Sequence, residues 1–191
     1  MQLRLQDFVD IRVGFTLRGK DASLKTDEAG LPLLRISDLT QDGRIQIESP
    51  HLIPRDEAKD QFRVRPNDIL VANRGVRMTA ALIPDGLEAI VGGQLFYLRL
   101  RRKEITPGYL HWFLNLSSTQ TELLSRTKGS YVKNLSITNF RDLEVPIPSL
   151  QKQAQIVQVA QLAHREKSLS TEIIRKRAAY TEGLLQKLAT R

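Results

Sequence analysis

Arginine, lysine and asparagine carry the donors and acceptors that recognise phosphates and base edges. This sequence gathers them in three polar stretches. Asn73-Arg74-Gly75-Val76-Arg77-Met78 offers two forked guanidinium groups, the paired donor and acceptor of Asn73, and a glycine that lets a backbone come close. The run from Thr127 to Asn134 offers Lys128, Ser130, Tyr131, Lys133 and Asn134. A third stretch, Thr16 to Lys25, offers Arg18, Lys20 and Lys25. Loops held on a rigid scaffold suit such work, because phosphate contacts position a reader and base contacts specify. Arg74 or Arg77 and Lys133 or Asn134 are therefore expected at bases, with the remaining Lys and Arg at phosphates. The competing reading of each stretch is a solvated loop with incidental charge.

Other chemistry is poorly supplied. The chain has no cysteine, which removes disulfides and thiolate metal ligands and fits a reducing compartment. His51, His111 and His164 lie far apart without ligand spacing, and His111 beside Trp112 reads as a partly buried helix residue. Gly92-Gly93 precedes a strand, so it is expected to be a turn and not a phosphate cradle. Glu57-Ala58-Lys59, with Asp42 upstream, matches part of a metal-dependent nuclease pattern. It falls in the charged run Arg55 to Asp60, which reads as an exposed turn or short helix. Nothing suggests a nucleophile elbow or a methyltransferase cofactor loop. The expectation is a non-catalytic chain without metal or cofactor.

The 191 residues carry a formal net charge of +8, which favours an anionic partner, nucleic acid before membrane surface. Eight Lys/Arg and three Asp/Glu fall after residue 149, so the C-terminal stretch is the more one-sidedly basic part. No run approaches the roughly 20 apolar residues that span a bilayer, and the N-terminus lacks a signal-peptide core. A cytoplasmic protein is expected.

The elements that must position these residues are mostly short strands up to residue 105. Residues 31–39 and 43–48 read as strand, turn and strand, 65–75 as a strand opened by Pro66-Asn67-Asp68, and 80–84 as another. Residues 94–102 alternate, with Phe96, Leu98 and Leu100 opposite Tyr97, Arg99 and Arg101, predicting a strand with an outward polar face. Thr106 followed by Pro107 predicts a capped helix, Thr119 to Glu122 has capping-box spacing, and Gly129 is a plausible stop. Pro146 and Pro148 confine a last extended segment to an edge. From Ser149, a natural N-cap, to about residue 189 there is no proline and a single glycine, Gly183. Forty helical residues would span about 60 Å. Leu162, Ile173 and Leu184 stand eleven apart, as do Leu169 and Tyr180, and Leu188 extends the stripe. That period keeps one apolar face on a nearly straight helix, and the face needs a cover.

Six stretches in order, "FVDIRVGFTLRGK", "PLLRISDLTQDGRI", "PNDILVANRG", "GGQLFYLRLRRKEITPGYLHWFLN", "TKGSYVKNLSITNFRDLEVPIPSL" and "QKQAQIVQVAQL", resemble the specificity subunit of type I restriction–modification systems. The resemblance covers nearly the whole chain. It implies an α+β fold: a β-rich target recognition domain over 1–148, then one long helix over 149–191 that pairs as an antiparallel coiled coil. Family members usually carry two such domains and two such helices, so this chain corresponds to one half. A second copy would then cover Leu162, Leu169, Ile173, Tyr180, Leu184 and Leu188, giving a homodimer that reads a bipartite, inverted double-stranded DNA target. The implied partners are methyltransferase subunits and, with them, restriction/translocase subunits in phage defence. The chain departs from the family at the junction, where Gln151, Lys152 and Gln153 stand where Glu-Gln is frequent. Alternatives are a half-subunit of another phage-defence or orphan methyltransferase complex, a stand-alone nuclease, and a basic helix that binds RNA or acidic surfaces. A helix folded back on its own domain is the alternative to pairing.

Overall fold

The computed structural model describes residues 2–16, 30–129 and 133–189. The chain divides into two compact units, Met1–Leu150 and Gln151–Arg191. In order, the elements are β1 (Gln2–Arg4), α1 (Leu5–Phe8), β2 (Val9–Val13), β3 (Leu31–Leu34), β4 (Leu52–Ile53), β5 (Ile69–Ala72), β6 (Ala80–Leu82), β7 (Ile90–Val91) and β8 (Leu95–Leu100). Then follow α2 (Pro107–Asn115), α3 (Ser117–Ser125), α4 (Ile137–Arg141), β9 (Glu144–Pro146) and α5 (Leu150–Ala189). The fold is α+β, β-rich at first, with one long helix at the C-terminal end.

The first unit is organised on a sheet in the order β2-β8-β5-β6, antiparallel throughout. A smaller sheet has the order β4-β3-β7, and β1 pairs with β9. Strand β5 is buried along its whole length, since Ile69 to Ala72 are at most 1% exposed. One of its faces sends Leu70 and Ala72, with Leu95 and Tyr97 of β8, into a cluster that includes Leu34, Ile83 and Val91. The other face is covered by helices: Phe96 stacks on Phe140 of α4, ring centroids 5.3 Å apart. Such side chains each stabilise the fold by about 1.5–3 kcal/mol.

This two-sided burial corrects the expected polar face on residues 94–102. Tyr97 is buried, and its hydroxyl donates to the Gln61 carbonyl, as a buried phenol requires. The alternation was real, but a central strand with layers on both sides buries both faces. Arg99 is accommodated by a buried Asp68. Residues 31–48 also differ from a simple hairpin. Strand β3 pairs antiparallel with β4 and parallel with β7, while residues 43–48 contribute an isolated bridge, Leu39 to Ile45.

Helix α2 starts as expected, with the Thr106 hydroxyl accepting from the Tyr109 N–H and Pro107 at the first position. Helix α3 starts two residues before the expected capping box. Its N-cap is Leu116, and Thr119 is buried inside the first turns instead of capping them. It ends at Ser125, before Gly129. The stretch before β9 forms α4, with the Ser136 hydroxyl as its cap accepting from the Asn139 N–H. Pro146 closes the β1–β9 ladder opposite Gln2, an edge position that needs no proline N–H. Residues 92–95 make the expected turn, with the Leu95 N–H donating to the Gly92 carbonyl at 2.9 Å. A Cβ on Gly14 would lie 2.2 Å from the Gly92 carbonyl oxygen, so only glycine lets these backbones cross.

The second unit is almost entirely α5. Leu162, Leu169, Ile173, Tyr180, Leu184 and Leu188 are all exposed in the single chain, as are Val159, Ile174 and Leu185. Among the described residues no helix is long and apolar enough to cross a membrane.

Candidate nucleic-acid interface

Two of the three polar stretches meet, although Arg74 and Asn134 lie far apart in the chain. The Gly75 N–H donates to the Lys133 carbonyl at 3.0 Å, and the Leu135 N–H to the Asn73 carbonyl at 2.8 Å. These bonds place Arg74 directly opposite Asn134 in an antiparallel bridge. Asn134 in turn exchanges both backbone bonds with Lys128, at 3.0 and 2.9 Å. Residues opposite each other in an antiparallel ladder share a face, about 4.5–5.5 Å apart. Arg74, Asn134 and Lys128 therefore stand in a row across one face of a small ribbon, and all three are exposed. On the reverse face Leu135 is buried and Asn73 half-buried.

Asn73 acts as the anchor. Its N–H donates to the Gln94 carbonyl at 3.1 Å and its side-chain amide to the Gly93 carbonyl at 3.3 Å. One donor of its side chain is thus spent on the scaffold. Arg77 is exposed and gives one guanidinium bond to the Asn115 carbonyl at the end of α2, at 3.4 Å. Among the described residues, no ion pair joins Arg74, Arg77, Lys128 or Lys133 to an acidic side chain. Among the described residues, then, this basic face carries no acidic counter-charge, which suits a polyanion. Gly75 has φ +113 and open space around it, so a side chain there would be strained by backbone and not by crowding. Arg18, Lys20, Lys25, Ser130 and Tyr131 lie outside the described residues.

The sequence reading missed two residues that fix this loop. Gln120 of α3, buried, accepts from the Met78 N–H and donates to the Met78 carbonyl, both at 3.0 Å. Asn115 repeats the device at Ala80, accepting at 3.2 Å and donating at 2.9 Å. Each primary amide imitates a neighbouring strand along residues 78–80, so this outer edge is paired without a further strand. Only a buried amide spaced five residues after another hinted at this, and such a hint is visible only once the edge is known. The loop from Asn73 to Met78 is thereby held at both ends.

The nuclease-like residues do not assemble. Glu57 and Lys59 are exposed in a turn, while Asp42 pairs with Arg44 at 3.3 Å. Among the described residues no group of three His, Cys, Asp or Glu could hold a metal. His111 faces the Gly43 carbonyl at 3.1 Å, and burial lowers its pKa, opposed by that backbone bond.

The chain thus carries a β-rich unit with a basic ribbon and, after it in sequence, a long helix with an apolar stripe. Residues 1–173 match the family model for the type I restriction modification DNA specificity domain, and the chain belongs to that family. It is 27% identical over 130 residues to the specificity subunit of the Escherichia coli type I restriction enzyme EcoBI, covering 67% of this chain and 27% of the relative. It spans only about a quarter to a third of the length of such curated relatives. Among solved structures, one concerned with complex assembly and conformational transition of the type I R-M system superposes with a TM-score of 0.70. Its identity is 20%, with 98% of this chain and 43% of that one covered. The HsdS subunit from Thermoanaerobacter tengcongensis follows at TM-score 0.63 and 18% identity, covering 88% and 38%. At these identities the likeness speaks for the fold.

Proposed function

We propose that this chain is a non-catalytic, sequence-reading half of a type I specificity subunit. Residues 1–148 read double-stranded DNA through the ribbon that joins residues 73–77 to Lys128, Lys133 and Asn134. Residues 149–191 pair antiparallel with the same helix of a second copy, so that two readers face an inverted, bipartite target across a fixed gap. The assembled pair docks methyltransferase subunits, and with them restriction/translocase subunits, in the cytoplasm as part of phage defence. The observation that carries the reading is convergence. Two stretches singled out for base-edge chemistry, distant in sequence, are joined by backbone hydrogen bonds into one exposed basic face. The family match supports the same role. Pairing is supported by the exposed stripe on α5, whose apolar area a monomer would leave in water.

The test is selection of bound duplexes from a random pool, together with light scattering. The reading expects an inverted two-part consensus and a mass of twice 21.7 kDa. Ile173→Glu with Leu169→Glu should yield a monomer that binds single half-sites. Recovery of no consensus would reject DNA reading, and a stable monomeric wild type would reject the pairing.

A further inference from the structure

In residues 2–149 the large apolar side chains left exposed, among the described residues, are Val13 at 40% and Val76 at 91%. Val13 lies at the end of a strand. Val76 stands in the middle of the basic loop, two residues beyond Arg74 and next to Arg77. Burial would stabilise a valine by about 1.5–3 kcal/mol. A lone exposed valine is ordinary on a surface, but one fixed in the centre of a basic loop offers an apolar contact to whatever that loop binds. This loop is fixed: Asn73 anchors its start through Gln94, Gly93 and Leu135, and Gln120 clamps Met78 at its end. A polyanionic cover fits, since Arg74 and Arg77 flank Val76 in the loop and the bridged strand brings Lys133 and Lys128 to the same ribbon. None of the four is paired with an acid among the described residues.

We propose that Val76 is a specificity contact in its own right, packing against the 5-methyl group of a thymine in the major groove. The proposal rests on the DNA-reading function above and adds a base to it. A two-stranded ribbon is one of the shapes the major groove admits, and thymine is the one base that presents an apolar group there. Valine is short and its χ1 is stiff, so its two methyls are presented at a fixed place. Wedges that pry base steps apart in the minor groove are mostly longer or ring side chains. The two neighbouring arginines supply the hydrogen-bonding half of the readout, and Val76 supplies an apolar contact that only the thymine methyl group can meet.

The experiment uses the full chain and the duplex it selects from a random pool. Each dT of that duplex is replaced singly by dU, which removes the methyl group and keeps the pairing. The wild type should lose about fourfold in affinity at one such position, the worth of one buried methyl. Val76→Ala should lose a similar factor on the dT duplex and lose nothing further on that dU duplex. Because Val76 is exposed, the alanine variant should melt with the wild type. If no dU position weakens the wild type, or if the two losses multiply, the proposal is overturned. Arg74→Ala separates the two levels. When it loses specific binding while Val76→Ala does not, the thymine contact alone fails; when neither variant loses it, the ribbon is not the reader.

Discussion

The two ends of the β5–β8 pair hold arginine in opposite circumstances. At one end Arg99 grips Asp68 through two bonds, 2.8 and 2.6 Å, and Asp68 also accepts from the Arg65 N–H at 2.9 Å. Asp68 is 2% exposed, and its hydrogen bond raises the Arg99 pKa. Asn67, in the left-handed region at φ 68, makes the turn that brings the aspartate in. At the other end, six residues on from Asp68, Arg74 is exposed and has no acid beside it among the described residues. The same residue type is a structural tie in one place and an open donor in the other. What separates them is the local supply of carboxylate, so a basic chain must be read charge by charge.

That contrast can be broken at either end. Arg99→Met should be the most costly change, about 3–5 kcal/mol of stability, because it leaves the Asp68 carboxylate buried and without its cation. Chemical denaturation should show a lower midpoint, while the folded fraction keeps its preference among DNA sequences. Gln120→Leu should cost about 2–4 kcal/mol, since the buried N–H and carbonyl of Met78 both lose their partner. Unlike Arg99→Met, it should also weaken specific binding, because it loosens the end of the reading loop. His111 gives the smallest effect. Its folded pKa lies below the ordinary value near 6.5, so the unfolded chain binds the proton first as pH falls. Stability should therefore be full above that value and decline as pH drops from 7 towards the folded pKa. His111→Gln should flatten this dependence in melting curves taken between pH 7 and 5.

The long helix α5 and the start of α2 were legible in the sequence, whereas α1 and α4 were not and α3 begins two residues early. An uninterrupted run without proline predicted α5 to its ends, Thr106-Pro107 predicted the start of α2, and Pro146 predicted an edge. These are local signals, written within a few residues of where they act. The pairing of β3 with β4 and β7 was not legible, because strand partners are chosen by long-range packing. The burial of both faces of β8 was hidden for the same reason, since alternation reports the pleat and not how many layers cover it. The site was legible as residue types and not as an assembly. Asn73, Arg74, Lys133 and Asn134 could be nominated, but the bonds that unite them cross from one stretch to the other. Gln120 looked like part of a helix start, and only the unpaired edge at Met78 gives it a different task.

The most direct test measures binding of the wild type, Arg74→Ala and Lys128→Ala to the selected duplex and to a scrambled one across a salt series. Arg74→Ala should weaken the selected duplex by about 1–3 kcal/mol, relax one position of the consensus and leave the scrambled duplex little changed. Lys128→Ala should weaken both duplexes alike and reduce the salt slope by about one. A ratio of selected to scrambled affinity that survives Arg74→Ala, together with an unaltered salt slope in Lys128→Ala, would contradict the account.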